Sequence, residues 1–253
     1  MRVATPLDPP AYPPPQGGRE RVAVIIPTFN EGESIASVVA ALPREVVDRV
    51  IVVDGGSIDG TPERARDAGA EVIAVGRGYG LACLAGAQAA EKTADIVVFM
   101  DGDGADDPAA VAAMVAPIRA GDYDFVIGSR ARGRREPGSM ASHQILAGLI
   151  AGWLTRLLYG VRYTDMCALR AIRRDTLLGL GMRELTYGWN LEMQMRVARA
   201  RLRVLEVPVA YRRRRGGESK VAGSLRGSVK AALRIAATFA RVAMEPGRDR
   251  ASP

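Results

Sequence analysis

Five short runs of branched aliphatic residues recur through the first half of the chain: "VAVII" from Val22, "RVIVVD" from Arg49, "AEVIAV" from Ala70, "DIVVFM" from Asp95 and "DFVIGS" from Asp124. Each run is apolar throughout instead of alternating, which is the pattern of strands buried on both faces. Between the first two, Ile35, Val38, Val39 and Leu42 fall at i, i+3, i+4 and i+7, the period of a helix. Asn30 and Glu33 stand at capping-box spacing before it. Further helices are predicted from about Leu81 to Lys92 and after Asp107-Pro108. Strands alternating with helices in this way specify an α/β fold, a mostly parallel, Rossmann-like sheet flanked by helices. No strand runs into a Gly-rich dinucleotide fingerprint or a Walker loop, so neither NAD-type nor ATPase chemistry is indicated.

The remainder is less regular. Residues 1–20 carry six prolines and read as an extended or disordered tail. A basic loop, Arg130 to Arg135, leads to an amphipathic helix from Ser142 to Tyr159. "RYTDMCALRAIRR" reads as a strand and turn, "YGWNLEMQMRVARA" as a helix and "RVLEVPVAY" as a strand. Four arginines, 212–215, follow, and a last helix spans about Ser224 to Met244. The expected organisation is a tail (1–20), one α/β domain (21–223) with an extension towards its C-terminus, and an amphipathic helix with a short tail (224–253).

A net charge of +7, carried almost wholly by arginine, points to an anionic partner such as phosphate groups or an acidic membrane surface. Aromatics at 5% are too few for a single-strand nucleic-acid binder, so no nucleic-acid partner is expected. One histidine, His143, excludes a multi-His zinc site, and Cys83 and Cys167 lack metal spacing. The longest apolar run, Ile145 to Leu154, falls short of the ~20 residues that cross a bilayer. With no signal-peptide pattern at the start, a cytoplasmic protein that touches the membrane peripherally is expected. On the last helix Arg226, Lys230, Arg234 and Arg241 share one face, the pattern of a helix lying on anionic lipid and equally of one packed on its own domain. The Ser142–Tyr159 helix, with Trp153, is a second candidate for gripping a lipid chain, with core packing the commoner outcome for such a stripe.

Ligands of open parallel sheets bind outside the carboxyl ends of the strands. Asp54 ends one strand, Asp101 ends another, and Glu31 lies just beyond a third. In "FMDGDGADDP", Asp101 and Asp103 flank a glycine that lets backbone approach a ligand closely. Hard carboxylate oxygens so placed suit Mg²⁺ or Mn²⁺ shared with phosphate oxygens. Asp106 and Asp107 precede Pro108 and are assigned to capping the next helix.

"IIPTFNEGESI", "VVDGGSIDGT", "GRGYGLACLAG", "FMDGDGADDP", "GSRARG", "TDMCALRAI", "GWNLEMQ" and "EVPVAYRRRRGGESK" occur in this order. The set resembles glycosyltransferase family 2, in the branch of dolichyl- and polyprenyl-phosphate sugar synthases, over roughly residues 21–235. The resemblance implies a GT-A glycosyltransferase domain over 21–223 with a C-terminal acceptor-side extension, and metal-dependent, inverting transfer of a sugar from a UDP- or GDP-sugar to a polyprenyl phosphate or other lipid acceptor. By similarity, Pro27, Phe29, Glu31 and Asp54 contact the donor, Asp101 and Asp103 hold the metal, and Lys220 and Arg130 face phosphates. Ser139, Arg212 and Ser219 fall on the acceptor or phosphate side. Where the family continues with Gln and His-Pro-Pro, this chain has Ala105, Asp106, Asp107 and Pro108, which leaves a third metal ligand to Asp106 or water.

A polyprenyl phosphate is anionic near neutral pH and can attack unaided, whereas a hydroxyl acceptor needs a carboxylate base. Asp165 and Glu192 match motif positions and are the candidate bases, each with the alternative of pairing with a nearby arginine. Transfer to a hydroxyl acceptor is therefore the nearest rival, and a nucleotidyltransferase or a basic nucleic-acid-binding module the more distant ones.

Overall fold

The structure, a computed structural model, describes residues 18–91, 93–214 and 225–245, without the side chains of residues 143 and 225–232. Most of the Pro-rich tail, Ser219 and Lys220 lie outside the described residues. The chain folds in the order β1 (Val22–Thr28), α1 (Ile35–Ala40), β2 (Arg49–Asp54), α2 (Thr61–Asp67), β3 (Glu71–Ala74), α3 (Tyr79–Ala89) and β4 (Ile96–Phe99). Then come α4 (Ala110–Arg119), β5 (Phe125–Ser129), α5 (Ser142–Tyr159), β6 (Arg170–Arg173) and α6 (Arg174–Gly179). Helix α7 (Trp189–Arg199), strand β7 (Val204–Pro208) and helix α8 (Leu225–Met244) complete the order.

One seven-stranded sheet runs β3-β2-β1-β4-β6-β5-β7. Its strands are parallel except β6, which pairs antiparallel with both β4 and β5. The expected mostly parallel α/β sheet is therefore present. The aliphatic runs form its middle: Val22 to Ile26, Ile51 to Val53 and Ile96 to Phe99 have no exposure to solvent. Helix α3 comes close to the sheet because Gly86 carries no side chain; a Cβ there would stand 2.4 Å from Ile25 Cγ2. Phe99 at the end of β4 meets Trp189 of α7 edge-to-face, with ring centroids 6.1 Å apart.

Reversed β6 has a topological consequence. Entering the sheet from the edge where its neighbours leave, it brings residues 163–169 to their carboxyl ends. Phe99 and Ile127 are both in register with Arg170.

One local expectation is corrected, and an open one is narrowed. Asn30 takes a left-handed conformation (φ 53°), and its Oδ1 accepts the Ile58 N–H at 3.0 Å, so it ties two loops together instead of capping α1. On α8 the two described arginines of the face pair within the chain. Arg234 Nε lies 3.1 Å from Glu184 Oε1, and Arg241 Nη1 lies 3.0 Å from Glu192 Oε1. Both carboxylates are buried and come from elsewhere in the chain, so this half of the face is an internal seam; the side chains of Arg226 and Lys230 lie outside the described residues.

The apolar surface is on α5 instead. Its small residues face inward, where a Cβ on Gly152 would stand 1.8 Å from the Tyr163 carbonyl oxygen, and Ala151 and Thr155 are buried. Its large ones face out: Leu146, Trp153 and Leu157 are 58, 61 and 68% exposed, with Leu149 and Ile150 exposed between them. Among the described residues, no helix is long and apolar enough to cross a membrane.

Candidate functional site

The acidic loop leaves β4 at Met100 and is anchored from behind. Gly102 packs so tightly on β1 that a Cβ would stand 2.9 Å from Thr28 Cγ2, and its carbonyl accepts the Ser34 hydroxyl at 2.7 Å. Gly104 takes φ 75°, which glycine adopts without strain and which turns the loop back on itself. The result brings three carboxylates together. Asp101 accepts the Tyr79 hydroxyl at 3.2 Å, and Asp103 Oδ1 accepts the Ala105 N–H at 2.9 Å. Asp106, which was assigned to capping, points into this cluster, where its Oδ2 lies 3.5 Å from the Asp101 N–H. Asp107 Oδ1 accepts the Ala109 N–H at 3.3 Å in the turn before α4, whose N-cap position, Ala109, has no side-chain cap.

The electrostatics follow from burial. Desolvation, reinforced by Asp103, pushes the Asp101 carboxyl up to about 6 against the pull of Arg214, Arg130 and Tyr79. Desolvation with Asp101 and Asp103 nearby pushes Asp106 up to about 8. Asp106 Oδ1 and Asp103 Oδ2 are buried with no hydrogen bond among the described residues. Buried carboxylate oxygens without donors are what a hard cation would satisfy. Among the described residues no group of three or more carboxylate, thiol or imidazole side chains, this cluster included, is arranged to hold a metal ion by itself. The fit is therefore to an ion held by two carboxylates that completes its shell with water and phosphate oxygens.

Cations line the opposite wall. At the end of β5, Arg130 forms a two-pronged pair with Asp165, Nη2 on Oδ1 at 2.7 Å and Nε on Oδ2 at 2.8 Å. Its guanidinium lies 4.9 Å from the centre of the Tyr211 ring. Burial would raise the Asp165 pKa, but the Arg130 bonds outweigh it and hold the carboxyl below its usual value. Arg212 stands further out, 3.7 Å from Asp107 Oδ2, and Ser139 Oγ is buried with no partner among the described residues.

On the β1–β2 side, Asp54 is spent on its own loop: Oδ2 accepts the Gly56 and Ser57 N–H groups, both at 2.9 Å. Pro27 is in register with Val53, and the Glu31 N–H donates to Thr61 Oγ1 at 2.9 Å. Phe29, just past β1, carries the Arg77 guanidinium 3.7 Å above its ring centre. Glu192 stands apart from this set. Fully buried, its Oε2 accepts the Arg183 and Glu184 N–H groups and its Oε1 is held by Arg196 and Arg241.

Arg77 and Tyr79 carry no site role in the sequence reading, and Arg214 enters it only as one of four consecutive arginines. The first two had a signal in "GRGYG": a Cβ on Gly80 would stand 2.2 Å from the Glu184 carbonyl, so the segment is pressed against a distant loop.

A family model described as glycosyl transferase family 2 matches residues 23–178. The chain belongs to that family. An uncharacterized glycosyltransferase of Mycobacterium tuberculosis is 38% identical over 218 residues, covering 85% of this chain and 95% of the relative. The undecaprenyl-phosphate mannosyltransferase of Micrococcus luteus is 34% identical, covering 82% and 90%. Glucosyl-3-phosphoglycerate synthase from Mycobacterium tuberculosis, solved with Mn²⁺ and UDP-glucose, superposes with a TM-score of 0.69 at 22% identity, covering 90% of this chain and 81% of that one. The fold is GT-A, and this family 2 chain is a glycosyltransferase.

Proposed function

We propose that this glycosyltransferase moves a sugar, with inversion, from a UDP- or GDP-sugar to a polyprenyl phosphate, using Mg²⁺ or Mn²⁺ held by Asp101 and Asp103. The acceptor reading is supported by the Micrococcus luteus relative and by an N-acetylglucosaminyltransferase of Methanococcus voltae named for dolichyl phosphate, 30% identical over 211 residues. The observation that carries it is the state of the two candidate bases. Asp165 is clamped by Arg130 with its pKa lowered, and Glu192 is buried under four donors. Neither is placed to take a proton at neutral pH, so an acceptor that arrives already ionised fits better than a hydroxyl.

The bound ion would supply positive charge where the leaving diphosphate develops negative charge. The chain's own part is to hold cations in fixed positions. Arg130, gripped by Asp165 and laid against Tyr211, presents a guanidinium that cannot swing away, which is the preorganised form of charge stabilisation. Pro27, Phe29 and Glu31 would border the nucleoside, Asp54 would shape the loop beside it, and Ser139, Arg212, Ser219 and Lys220 would meet phosphate. Attack by the acceptor phosphate oxygen on the sugar carbon, opposite the departing diphosphate, inverts that carbon. The uncovered apolar face of α5 fits a lipid-borne acceptor, since the same helix runs past Asp165: a Cβ on Gly148 would stand 3.6 Å from the Asp165 Cα. Contact with the inner face of the cytoplasmic membrane would be made through this helix.

The test is to incubate the protein with a panel of UDP- and GDP-sugars, Mn²⁺ and either a polyprenyl phosphate or the matching polyprenol. The reading expects a glycosyl phosphoryl lipid and free nucleoside diphosphate from the phosphate alone. Transfer to the polyprenol, or release of pyrophosphate from a nucleoside triphosphate, would replace it with one of the rival reactions.

A further inference from the structure

The segment that follows β7 is stitched across the acidic loop. The Arg212 N–H donates to the Ala105 carbonyl at 2.8 Å, Tyr211 bridges to Asp106 and Arg135, and the Arg213 N–H donates to Glu136 Oε2 at 2.7 Å. This delivers Arg214 to the middle of the cluster, with Nε 3.0 Å from Asp103 Oδ2. The contact lacks hydrogen-bond alignment, since that oxygen has no hydrogen bond among the described residues. Burial works against the charge on Arg214, yet Asp103, Asp101, Tyr211 and Glu31 together outweigh it. One guanidinium therefore balances several acids.

Asp103 cannot serve two cations at once. Its side chain is 3% exposed, so water does little to screen a divalent ion from a guanidinium facing the same oxygen. We propose that Arg214 is the resident counter-cation of the donor-free cluster and is exchanged for the divalent ion when the donor loads: the ion takes Asp103, and the donor's diphosphate takes Arg214. The inference rests on the metal reading of Asp101 and Asp103 given above. It implies that Arg214 opposes metal binding in the absence of nucleotide and favours it in its presence. Because such coupling is reciprocal, nucleoside diphosphate must tighten metal binding more in the native chain than in one lacking the guanidinium.

The decisive experiment titrates Mn²⁺ into the full, nucleotide-free chain and follows free Mn²⁺ by electron paramagnetic resonance. Arg214→Gln should bind Mn²⁺ more tightly than the native chain, by about fivefold or more, the lower end of common coupling strengths. Arg214→Lys, which keeps the charge, should stay near the native affinity. So should Arg213→Gln, which lowers net charge equally but whose guanidinium hydrogen-bonds the Pro137 carbonyl. Asp103→Asn should remove binding in either background. In turnover, Arg214→Gln should lose donor kcat/KM while its Mn²⁺ affinity rises, opposite signs that a packing defect would not produce. If Arg214→Gln binds Mn²⁺ no more tightly while Asp103→Asn still abolishes binding, the exchange is wrong and the metal site stands. If Arg214→Lys tightens binding as much as Arg214→Gln, charge is not the cause and the exchange is again wrong. If neither the native chain nor Arg214→Gln binds Mn²⁺, the metal reading fails and takes this inference with it.

Discussion

Arg130 and Asp165 meet through two parallel bonds of 2.8 and 2.7 Å, and the Arg130 backbone N–H adds a third to Asp165 Oδ2 at 2.8 Å. A carboxylate so engaged is a mount for the arginine and a poor proton acceptor. Breaking a buried pair from one side strands the other charge, which typically costs 3–5 kcal/mol. Asp165→Asn is therefore expected to lose roughly 3 kcal/mol of stability together with activity. Arg130→Ala should do the same, and the double variant should be little worse than either single one. Chemical denaturation of the four proteins checks this; an Asp165→Asn that keeps full stability and loses only turnover would make Asp165 the base.

The acidic cluster predicts how stability varies with pH. Asp101 is raised to about 6 and Asp106 to about 8, above the value near 4 of an unfolded aspartate. Between those limits these two groups bind more protons in the folded state than in the unfolded one, so their contribution to metal-free stability falls as pH rises from about 4 to about 8. A divalent ion favours the ionised carboxylates that burial and mutual repulsion disfavour, so Mn²⁺ should raise Tm more at pH 8 than at pH 5.5. Thermal melts with and without Mn²⁺ measure it, and an equal rise at both values would count against the cluster as the metal site.

Trp153 and Leu157 stand on the open face of α5 and pack on little. Replacing both with glutamate should leave stability within about 0.5 kcal/mol per site. Association with vesicles containing anionic lipid should drop sharply, as sedimentation would show. Unchanged vesicle binding would remove α5 from the membrane account.

Tyr79 links the acidic loop to α3, and Gly80 lets α3 close on the 184–185 backbone. Tyr79→Phe should cost about 1 kcal/mol, the usual worth of one hydrogen bond, and weaken Mn²⁺ binding modestly. Gly80→Ala must displace the Glu184 carbonyl and should cost about 1–3 kcal/mol, with a larger loss of Mn²⁺ affinity. Calorimetric titration of both variants tests the link; if Gly80→Ala binds Mn²⁺ as the native chain does, α3 does not position Asp101.

What could be read in advance was whatever depends on neighbours in sequence. The aliphatic runs announce their strands, and α5 begins at Ser142 and ends at Tyr159 as its periodicity predicts. The Asp101–Asp103 pair lies at a strand end because the strand and the turn are contiguous. What escaped depends on residues far apart. "RAIR" of β6 holds two arginines that look exposed on paper. In the fold Arg170 is wholly buried on the Asn190 and Cys167 carbonyls, and Arg173 pairs with Glu20. The arginines of α8 imitate a membrane-facing stripe until Glu184 and Glu192 are brought beneath them. Asp106 has a cap's spacing, and only the path of residues 209–214 across the loop encloses it.

The central claim is that Asp101 and Asp103 carry an ion on which sugar transfer depends. Its most direct test is single-turnover transfer from nucleotide sugar to polyprenyl phosphate by the native chain and by Asp101→Asn/Asp103→Asn, each stripped with chelator and then supplied with Mn²⁺. The account predicts transfer only by the native chain and only after Mn²⁺ is restored. Transfer by the double amide variant, or by the native chain while still stripped, would contradict it.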